Sequence, residues 1–555
     1  MAGQTPDRGT PGWERSGWET PGWGTLPRML RDRAAASPGV VAVAGPAGSG
    51  DRLTTAELRA RAARFARGLI ALGVRPGDRV AVWGVNDASW VVAAYGVWDA
   101  GAVIVPLSAR YKGFEAAELL ASTGARVLVT GEGPGGAVLA DLLDGPPGAG
   151  EAGGVGGRET GPVVVVPDAV SRPGTLRRSE LLARGAAVPE REAEERALAV
   201  RPEDLCEIMS TSGTTGTPKG VMLDHAQIVR GYWDWSEIVT LREGDRYPVI
   251  APFAHGFGLN AGLIASVMRG ATMMPIPSFS PEGLQRLVAE ERITILAGPP
   301  ALFHRLLDDV DTRGHALRVA ICGAAAVPAE LIHRLLDEVG LERMINAYGL
   351  MEGTVVSMTR ADDPVEVIAA TAGRPVPGIE VKIVDAAGRE VPPGTRGEIL
   401  QRGYGVMRGY WGEPGKTAEV IRDGWLHTGD IGVLDERGNL AIVDRKKELF
   451  IVNGFNVSPA EVEGLLLREG SLAQAAVVGV PDPRSGEAGW AYVVPRPGRS
   501  PEPEELIAWA RENMSAHKVP RRIVVVPELP VNANGKPDKQ ALRERARAAV
   551  APAPD

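Results

Sequence analysis

The segment Ile208-Met209-Ser210-Thr211-Ser212-Gly213-Thr214-Thr215-Gly216-Thr217-Pro218-Lys219-Gly220 carries the most information in the chain. From Ser210 onward, eleven residues hold six hydroxyls, three glycines and one lysine. Many donors, on backbone that can approach a ligand closely, are what a polyanion requires. A plain Ser/Thr/Gly linker would share this composition, but apolar residues flank it on both sides, Ile208-Met209 before and Val221-Met222-Leu223 after. The segment reads as a phosphate-binding loop between strands. A Walker loop needs four residues between its glycines, then Gly-Lys-Ser/Thr. Here two residues separate Gly213 from Gly216 and Lys219 follows Pro218, which argues against a P-loop ATPase.

Outward from this loop the chain alternates strand and helix. Thr55–Gly73 has the period of an amphipathic helix, and Arg79–Trp83 follows as a strand after the turn Pro76-Gly77-Asp78. Helix Ser89–Gly101, strand Ala102–Pro106, helix Gly113–Thr123 and strand Ala125–Val129 continue the pattern. Strands without polar alternation, spaced by helices, predict a parallel sheet covered on both faces. Residues 131–161 hold 12 glycines and several prolines, which predicts a flexible surface insertion. Alternation resumes at Val163 and runs to about Arg360. From Gly373 short strands at Val381–Asp385, Gly397–Arg402 and Leu440–Asp444 predict a more antiparallel β region.

After Asp444 comes the charged run Arg445-Lys446-Lys447-Glu448. Two helical patterns, Ala460–Glu469 and Pro503–Met514, and strands at Gln474–Val480 and Ala491–Pro495 then suffice for a small α+β domain. The expected organisation is a leader over 1–24, a large α/β domain over 25–444 with doubly wound mixed sheets and a β subdomain, a hinge at 445–447, a mobile C-terminal domain over 448–545 and a tail over 546–555. The leader is expected to be unstructured: Gly12-Trp13, Gly17-Trp18 and Gly22-Trp23 recur among Pro, Thr and Glu, with almost no aliphatic residue between them.

Composition narrows the function classes. The 555 residues exceed one ordinary domain, and 44% hydrophobic with 23% charged residues is ordinary for a globular protein. A formal net charge of −8 argues against nucleic acid as the main partner. No apolar run approaches the roughly 18 residues of a membrane span. Two cysteines, Cys206 and Cys322, leave no disulfide framework, which fits a reducing cytoplasm. No Cys/His cluster has metal-ligand spacing.

At the loop, and at six further stations in order, the sequence resembles the adenylate-forming superfamily: acyl-CoA synthetases, firefly luciferase and the adenylation domains of nonribosomal peptide synthetases. Pro252-Phe253-Ala254-His255-Gly256-Phe257-Gly258 is similar to the family's His motif beside the acyl pocket. Gly323-Ala324-Ala325 resembles the adenine-contacting loop, and Asn346-Ala347-Tyr348-Gly349-Leu350-Met351-Glu352 the aromatic and acidic motif after it. Trp425-Leu426-His427-Thr428-Gly429-Asp430 resembles the ribose motif. Asp444-Arg445 through Gly454-Phe455-Asn456-Val457-Ser458-Pro459 is similar to the hinge and thiol-tunnel segment, and Pro530-Val531-Asn532-Ala533-Asn534-Gly535-Lys536 to the segment of the C-terminal lysine.

The resemblance implies ATP, Mg²⁺ and coenzyme A as ligands. It puts Thr211, Ser212, Gly213, Thr214, Thr215, Gly216 and Lys219 on the β- and γ-phosphates, and Glu352 with Thr211 on the Mg²⁺. Tyr348 would stack on adenine, Asp430 would accept the ribose hydroxyls with Arg445 in support, and Lys536 would sit between the attacking carboxylate and the α-phosphate. His255 would gate the acyl site, unless it is a buried histidine satisfied by backbone. Lys447 takes the hinge position and Gly454 the narrow point of the pantetheine tunnel. His225 and His517 read as structural or surface residues. One position departs from the family: Met351 stands where a threonine usually contacts the α-phosphate, and Met offers only a weak acceptor.

The implied reaction is ATP-dependent adenylation of a carboxylic acid with pyrophosphate release, then transfer to CoA, in a monomer or homodimer. Trp233 and Trp235, on the helix that lines the family's acyl site, would shorten the pocket for a compact or ring-bearing acid if they face it, and belong to the core otherwise. Pro299-Pro300-Ala301-Leu302 and Val452–Val457 look closest to actinobacterial ligases of steroid-ring-derived propanoates. An alternative kept open by Met351 is a CoA-independent enzyme of secondary metabolism that activates nitrite and diazotises an aryl amine.

Overall fold

A computed structural model describes residues 22–45, 51–111, 113–144, 161–211, 219–323, 327–445, 450–452, 455–457, 459–482, 485–514, 516–532 and 535–550. They fall into two compact units. The first holds the residues up to Ala369, Gly373–Val381 and Gln401–Leu426; the second holds Ala370–Ala372, Lys382–Leu400 and the residues from His427 onward.

The first unit is built on three sheets. In the largest, the strand order is Gly409–Tyr410, Lys219–Asp224, Leu205–Thr211, Val103–Ser108, Arg79–Gly84, Val127–Thr130, Val163–Val166 and Leu176–Arg177. Pairing is parallel from Leu205–Thr211 outward to Leu176–Arg177, and antiparallel at the Lys219–Asp224 and Gly409–Tyr410 end. Val103–Ser108 shows why the strands lack polar alternation. Val103, Val105 and Leu107 face one core cluster, Ile104 faces another, and every residue is buried. The second sheet runs Ile295–Ala297, Val319–Gly323, Arg343–Leu350, Thr354–Met358 and Arg374–Pro375, with its first three strands parallel. The third has the order Arg246–Val249, Thr272–Pro275, Val41–Ala44 and Arg52–Thr54.

Local signals fix the helices. Thr55–Ala71 opens on a capping box of Thr54 and Glu57, and His225–Val239 on one of Asp224 and Gln227. The helices expected at Ser89–Gly101 and Gly113–Thr123 are Ala88–Asp99 and Gly113–Thr123. Inside this unit Arg318 and Asp245 form a buried pair, with Thr294 and the Arg242 backbone also donating to the carboxylate. Asp245→Ala should destabilise the protein by about 3–5 kcal/mol, because it strands a buried guanidinium. Denaturant unfolding is the check.

Two expectations change here. The leader expected over 1–24 ends sooner, because Trp23 packs edge-on against Trp233 with ring centroids 5.7 Å apart. The insertion expected over 131–161 is in part built into the fold. Leu139 and Ala140 are buried, and Glu132 bridges Val138, because two apolar residues within the Gly-rich stretch find a core to enter. Residues 145–160 lie outside the described ones.

The second unit contains the pair Trp425–Leu434 and Leu440–Arg445 over residues 430–434 and 440–445. It also contains a sheet in the order Phe455–Val457, Phe450–Val452, Gly486–Pro495, Leu472–Asp482, with Arg522–Val525 parallel to Gly486–Pro495. Alternation along Leu472–Asp482 sorts its two faces. Val477 meets Val462, Leu466, Leu506 and Ile523, while Ala476, Val478 and Val480 meet Trp490, Leu542 and Ala546.

Candidate functional site

Thr211 and Lys219 stand opposite each other in the antiparallel ladder, and Ser210 stands opposite Gly220. The residues on either side of the hydroxyl-rich segment are therefore paired directly with each other. Gly220 is required there: a Cβ would lie 2.7 Å from Ile208 Cγ2. Lys219 Nζ lies 4.7 Å from the ring centroid of Tyr410, on the neighbouring strand.

The Tyr410 hydroxyl donates to Glu352 Oε1 at 2.9 Å. Glu352 sits on the turn between the antiparallel strands Arg343–Leu350 and Thr354–Met358. Three features shape that turn. A Cβ on Gly349 would come within 2.5 Å of the Thr354 carbonyl oxygen. Thr354 itself takes φ 55°, left-handed backbone that a β-branched residue rarely adopts. Gln401 Nε2 donates to the Gly353 carbonyl at 2.7 Å, and the Met407 amide to the Glu352 carbonyl at 2.8 Å. Burial, then the Glu352 carboxylate, raise the Tyr410 phenol above its ordinary range, so it remains a donor.

Gly323 ends the parallel strand Val319–Gly323 directly beside Ala347, where a Cβ would lie 3.3 Å from the Ala347 carbonyl oxygen. Gly323 thus lies at the carboxyl ends of parallel strands, where ligands of open α/β sheets bind. Tyr348 packs against the main core and pairs with Ser357. The Asn346 side chain turns inward and donates to the Ile368 carbonyl at 3.4 Å.

Around His255 the fold is tight. The Phe257 amide donates to His255 Nδ1 at 3.1 Å, so that ring nitrogen is an acceptor. A Cβ on Gly256 would lie 3.1 Å from Met351 Sδ and 3.9 Å from the Tyr232 hydroxyl. Behind these residues is a fully buried carboxyl that composition and spacing did not flag. Asn260 Nδ2 donates to Glu207 Oε1 at 3.0 Å, Tyr232 hydrogen-bonds the Asn260 side chain, and Glu207 Oε2 has no partner among the described residues. Burial pushes Glu207 up to about 7, from 4.5 in an ordinary setting.

The native state therefore keeps a proton that the unfolded chain has released, and stability falls as pH rises between these values. At about 1.4 kcal/mol per pH unit, the span corresponds to roughly 3 kcal/mol. Glu207→Gln should remove that slope and raise stability at pH 8 relative to wild type. Urea melts at pH 5 and pH 8 check it; parallel pH dependence in the two proteins would show that Glu207 is ionised when buried.

The two tryptophans go elsewhere than a short pocket requires. Trp235 is in the core, and Trp233 is held between Trp23 and the Arg269 guanidinium, 3.4 Å from its ring centroid. The expectation of a compact acid loses that support. His225 is structural: its Nδ1 accepts from the Leu26 amide at 3.4 Å, and burial pushes it down to about 3.

In the second unit Asp430 is buried and pairs in register with Arg445, while its amide donates to Thr428 Oγ1 at 3.1 Å. Lys536 is exposed; the Asn532 amide donates to the Lys536 carbonyl and the Lys536 amide to Asn532 Oδ1. Gly535 before it takes φ 77°. Ser212, Gly213, Thr214, Thr215, Gly216, Ala324, Ala325, Lys447 and Gly454 lie outside the described residues. Sequence reasoning missed Tyr410. Arg408-Gly409-Tyr410-Trp411 carries no local signal, because its link to Lys219 and Glu352 is made by strand pairing across the chain.

Among the described residues no three or more His, Cys, Asp or Glu side chains gather to hold a metal ion. A single hard carboxylate at Glu352 suits a cation that keeps its waters and shares a substrate phosphate, as Mg²⁺ does. No helix among the described residues is long and apolar enough to cross a membrane.

Residues 30–411 match the family model described as AMP-binding enzyme, and residues 461–536 match the AMP-binding enzyme C-terminal domain. The chain is 41% identical to a (7a-methyl-1,5-dioxo-octahydro-1H-inden-4-yl)propanoyl:CoA ligase of Rhodococcus jostii (strain RHA1), over 94% of this chain and 98% of that one. It is 36% identical to a feruloyl-CoA synthase of an Amycolatopsis species, over 92% and 97%. Among solved structures, the anthranilate CoA ligase AuaEII in complex with anthranoyl-AMP superposes with a TM-score of 0.83 at 26% identity, covering 95% of this chain and 98% of that one.

Proposed function

Since this chain belongs to the adenylate-forming family of AMP-binding enzymes and is an AMP-forming acid–thiol ligase, we propose that it activates a ring-bearing carboxylic acid with ATP and passes the acyl group to coenzyme A. The observation that carries the ATP reading is the linked set Lys219, Tyr410 and Glu352 beside the base of the hydroxyl-rich loop. Ring-bearing acids are favoured because the three relatives are named for an indanedione-type propanoate, ferulate and anthranilate.

In this reading Thr211, Lys219 and the loop between them bind the β- and γ-phosphates. Glu352, with Thr211, holds Mg²⁺, which supplies charge neutralisation on the phosphates when bound. Tyr348 packs on adenine and Asp430 accepts the ribose hydroxyls, with Arg445 in support. Lys536 stabilises the charge that develops as the carboxylate attacks the α-phosphorus and pyrophosphate leaves. His255 borders the acyl site, and its acceptor Nδ1, fixed by the Phe257 amide, leaves Nε2 as the ring's other polar edge. Most of the reaction is positioning and electrostatics, because two anions must be brought together. Coenzyme A as acceptor is favoured over nitrite and an amine because the relatives are CoA ligases.

Pyrophosphate release should therefore depend on a ring acid, such as a cinnamate, a benzoate or an alicyclic propanoate, and AMP should accumulate with acyl-CoA once CoA is added. The panel includes long-chain fatty acids, and nitrite with an aryl amine. Turnover with nitrite and amine but with no acid would overturn the ligase assignment. Turnover with long-chain acids alone would overturn the substrate class.

A further inference from the structure

We propose that Tyr410 is a positioning residue that keeps the carboxylate of Glu352 and the ammonium of Lys219 apart and available. The inference rests on the adenylation reading above and assigns a role to a residue that reading does not use. Tyr410 lies on the edge strand Gly409–Tyr410, next to Lys219–Asp224 in the eight-stranded sheet, with Tyr410 opposite Val221. Its side chain is almost wholly buried.

Its backbone is fixed from three directions. The Tyr410 amide donates to Thr417 Oγ1 at 2.9 Å, the Trp411 amide to the Gly220 carbonyl at 2.7 Å, and the Arg408 amide to the Met222 carbonyl at 2.9 Å. The same short segment holds Glu352 twice, through the Met407 amide to its carbonyl and through the Tyr410 hydroxyl to Oε1.

The ring face meets Lys219 at 4.7 Å, and its hydroxyl edge meets Glu352 at 2.9 Å. A lysine and a carboxylate this close to one aromatic ring would gain by pairing with each other, and a paired set would offer neither charge to a ligand. Among the described residues no ion pair joins them. The ring satisfies the cation by its face and the carboxylate by its edge. The ammonium thus stays out of an ion pair with Glu352, and the carboxylate keeps its second oxygen for a divalent cation. Partners that orient a ligating carboxylate typically change metal affinity by about 10–100-fold when removed.

Two substitutions separate the two contacts. Tyr410→Phe deletes only the hydroxyl and keeps the ring beneath Lys219. It should raise the Mg²⁺ concentration for half-maximal pyrophosphate release by about 10-fold, leave Mg²⁺-free ATP binding as in wild type, and approach wild-type rate at saturating Mg²⁺. Tyr410→Leu removes both contacts and should also weaken Mg²⁺-free ATP binding. Titration calorimetry of ATP with and without Mg²⁺, in the absence of any acid, gives a readout independent of turnover, and a thermal melt of each variant reports folding. Wild-type Mg²⁺ half-saturation in a folded Tyr410→Phe protein, or an equal loss of rate at every Mg²⁺ concentration, would overturn the inference. Wild-type protein whose ATP binding ignores Mg²⁺ would instead overturn the adenylation reading, and the inference with it.

Discussion

Lys536→Ala is expected to lower acid-dependent pyrophosphate release by about 10²–10³-fold, while thioester formation from a supplied acyl-adenylate stays within a few-fold of wild type. The structure shows why one side chain can matter so much without mattering to stability. Lys536 is exposed and makes no part of either core cluster of its unit. Its backbone, however, is held on both sides by Asn532, whose amide donates to the Lys536 carbonyl and whose Oδ1 accepts from the Lys536 amide, with Gly535 in left-handed backbone. These two hydrogen bonds fix the backbone from which the side chain projects. A charge placed in advance where charge develops gains most in the step that develops it, which here is attack on the α-phosphorus. Equal losses in both half-reactions would show that Lys536 serves folding or both steps alike. Wild-type pyrophosphate release would remove it from the site.

The second large effect is expected at Lys447. On the proposed account the two half-reactions use different surfaces of the C-terminal residues, one bearing Lys536 and the other Gly454. A change of this kind is absorbed by large φ/ψ changes at a few residues, and the charged run Arg445-Lys446-Lys447-Glu448 is where the sequence offers them. Proline fixes φ near −65° and removes a donor. Lys447→Pro should keep pyrophosphate release and lose CoA thioester formation by orders of magnitude. Quenched single-turnover samples, assayed for acyl-AMP and acyl-CoA, give the answer. A proline variant that completes the second step at the wild-type rate would place the pivot elsewhere or remove the need for one.

Much of the fold was legible because burial on two faces leaves a simple mark. Val103–Ser108 is apolar or small at every position since its alternate residues enter different core clusters. The helices at Thr55–Ala71 and Gly113–Thr123 begin where the sequence places them. Of the candidate site, the sequence pointed to Thr211, Lys219, Gly323 and Glu352; strand pairing sets Thr211 opposite Lys219, and Lys219 and Glu352 meet one tyrosine ring. The site was not legible at Tyr410, whose partners lie 191 and 58 residues away and meet it only through sheet pairing. Trp233 and Trp235 show the opposite failure: on one helix and two residues apart, they go respectively to a stack with Trp23 and to the core. Helical position alone does not tell a pocket from a core. Glu207 was hidden for a third reason. An acid inside an apolar strand has no local compensation to read, and its partner Asn260 lies on a distant helical segment.

The most direct measurement is a single turnover of the wild-type protein with ATP, Mg²⁺ and a ring-bearing acid, quenched before and after CoA is added and resolved by mass spectrometry. The account predicts acyl-AMP in amounts stoichiometric with pyrophosphate before CoA, converted to acyl-CoA and AMP after it. Absence of acyl-AMP across ring acids, or an acyl-AMP that persists unchanged in the presence of CoA, would contradict it.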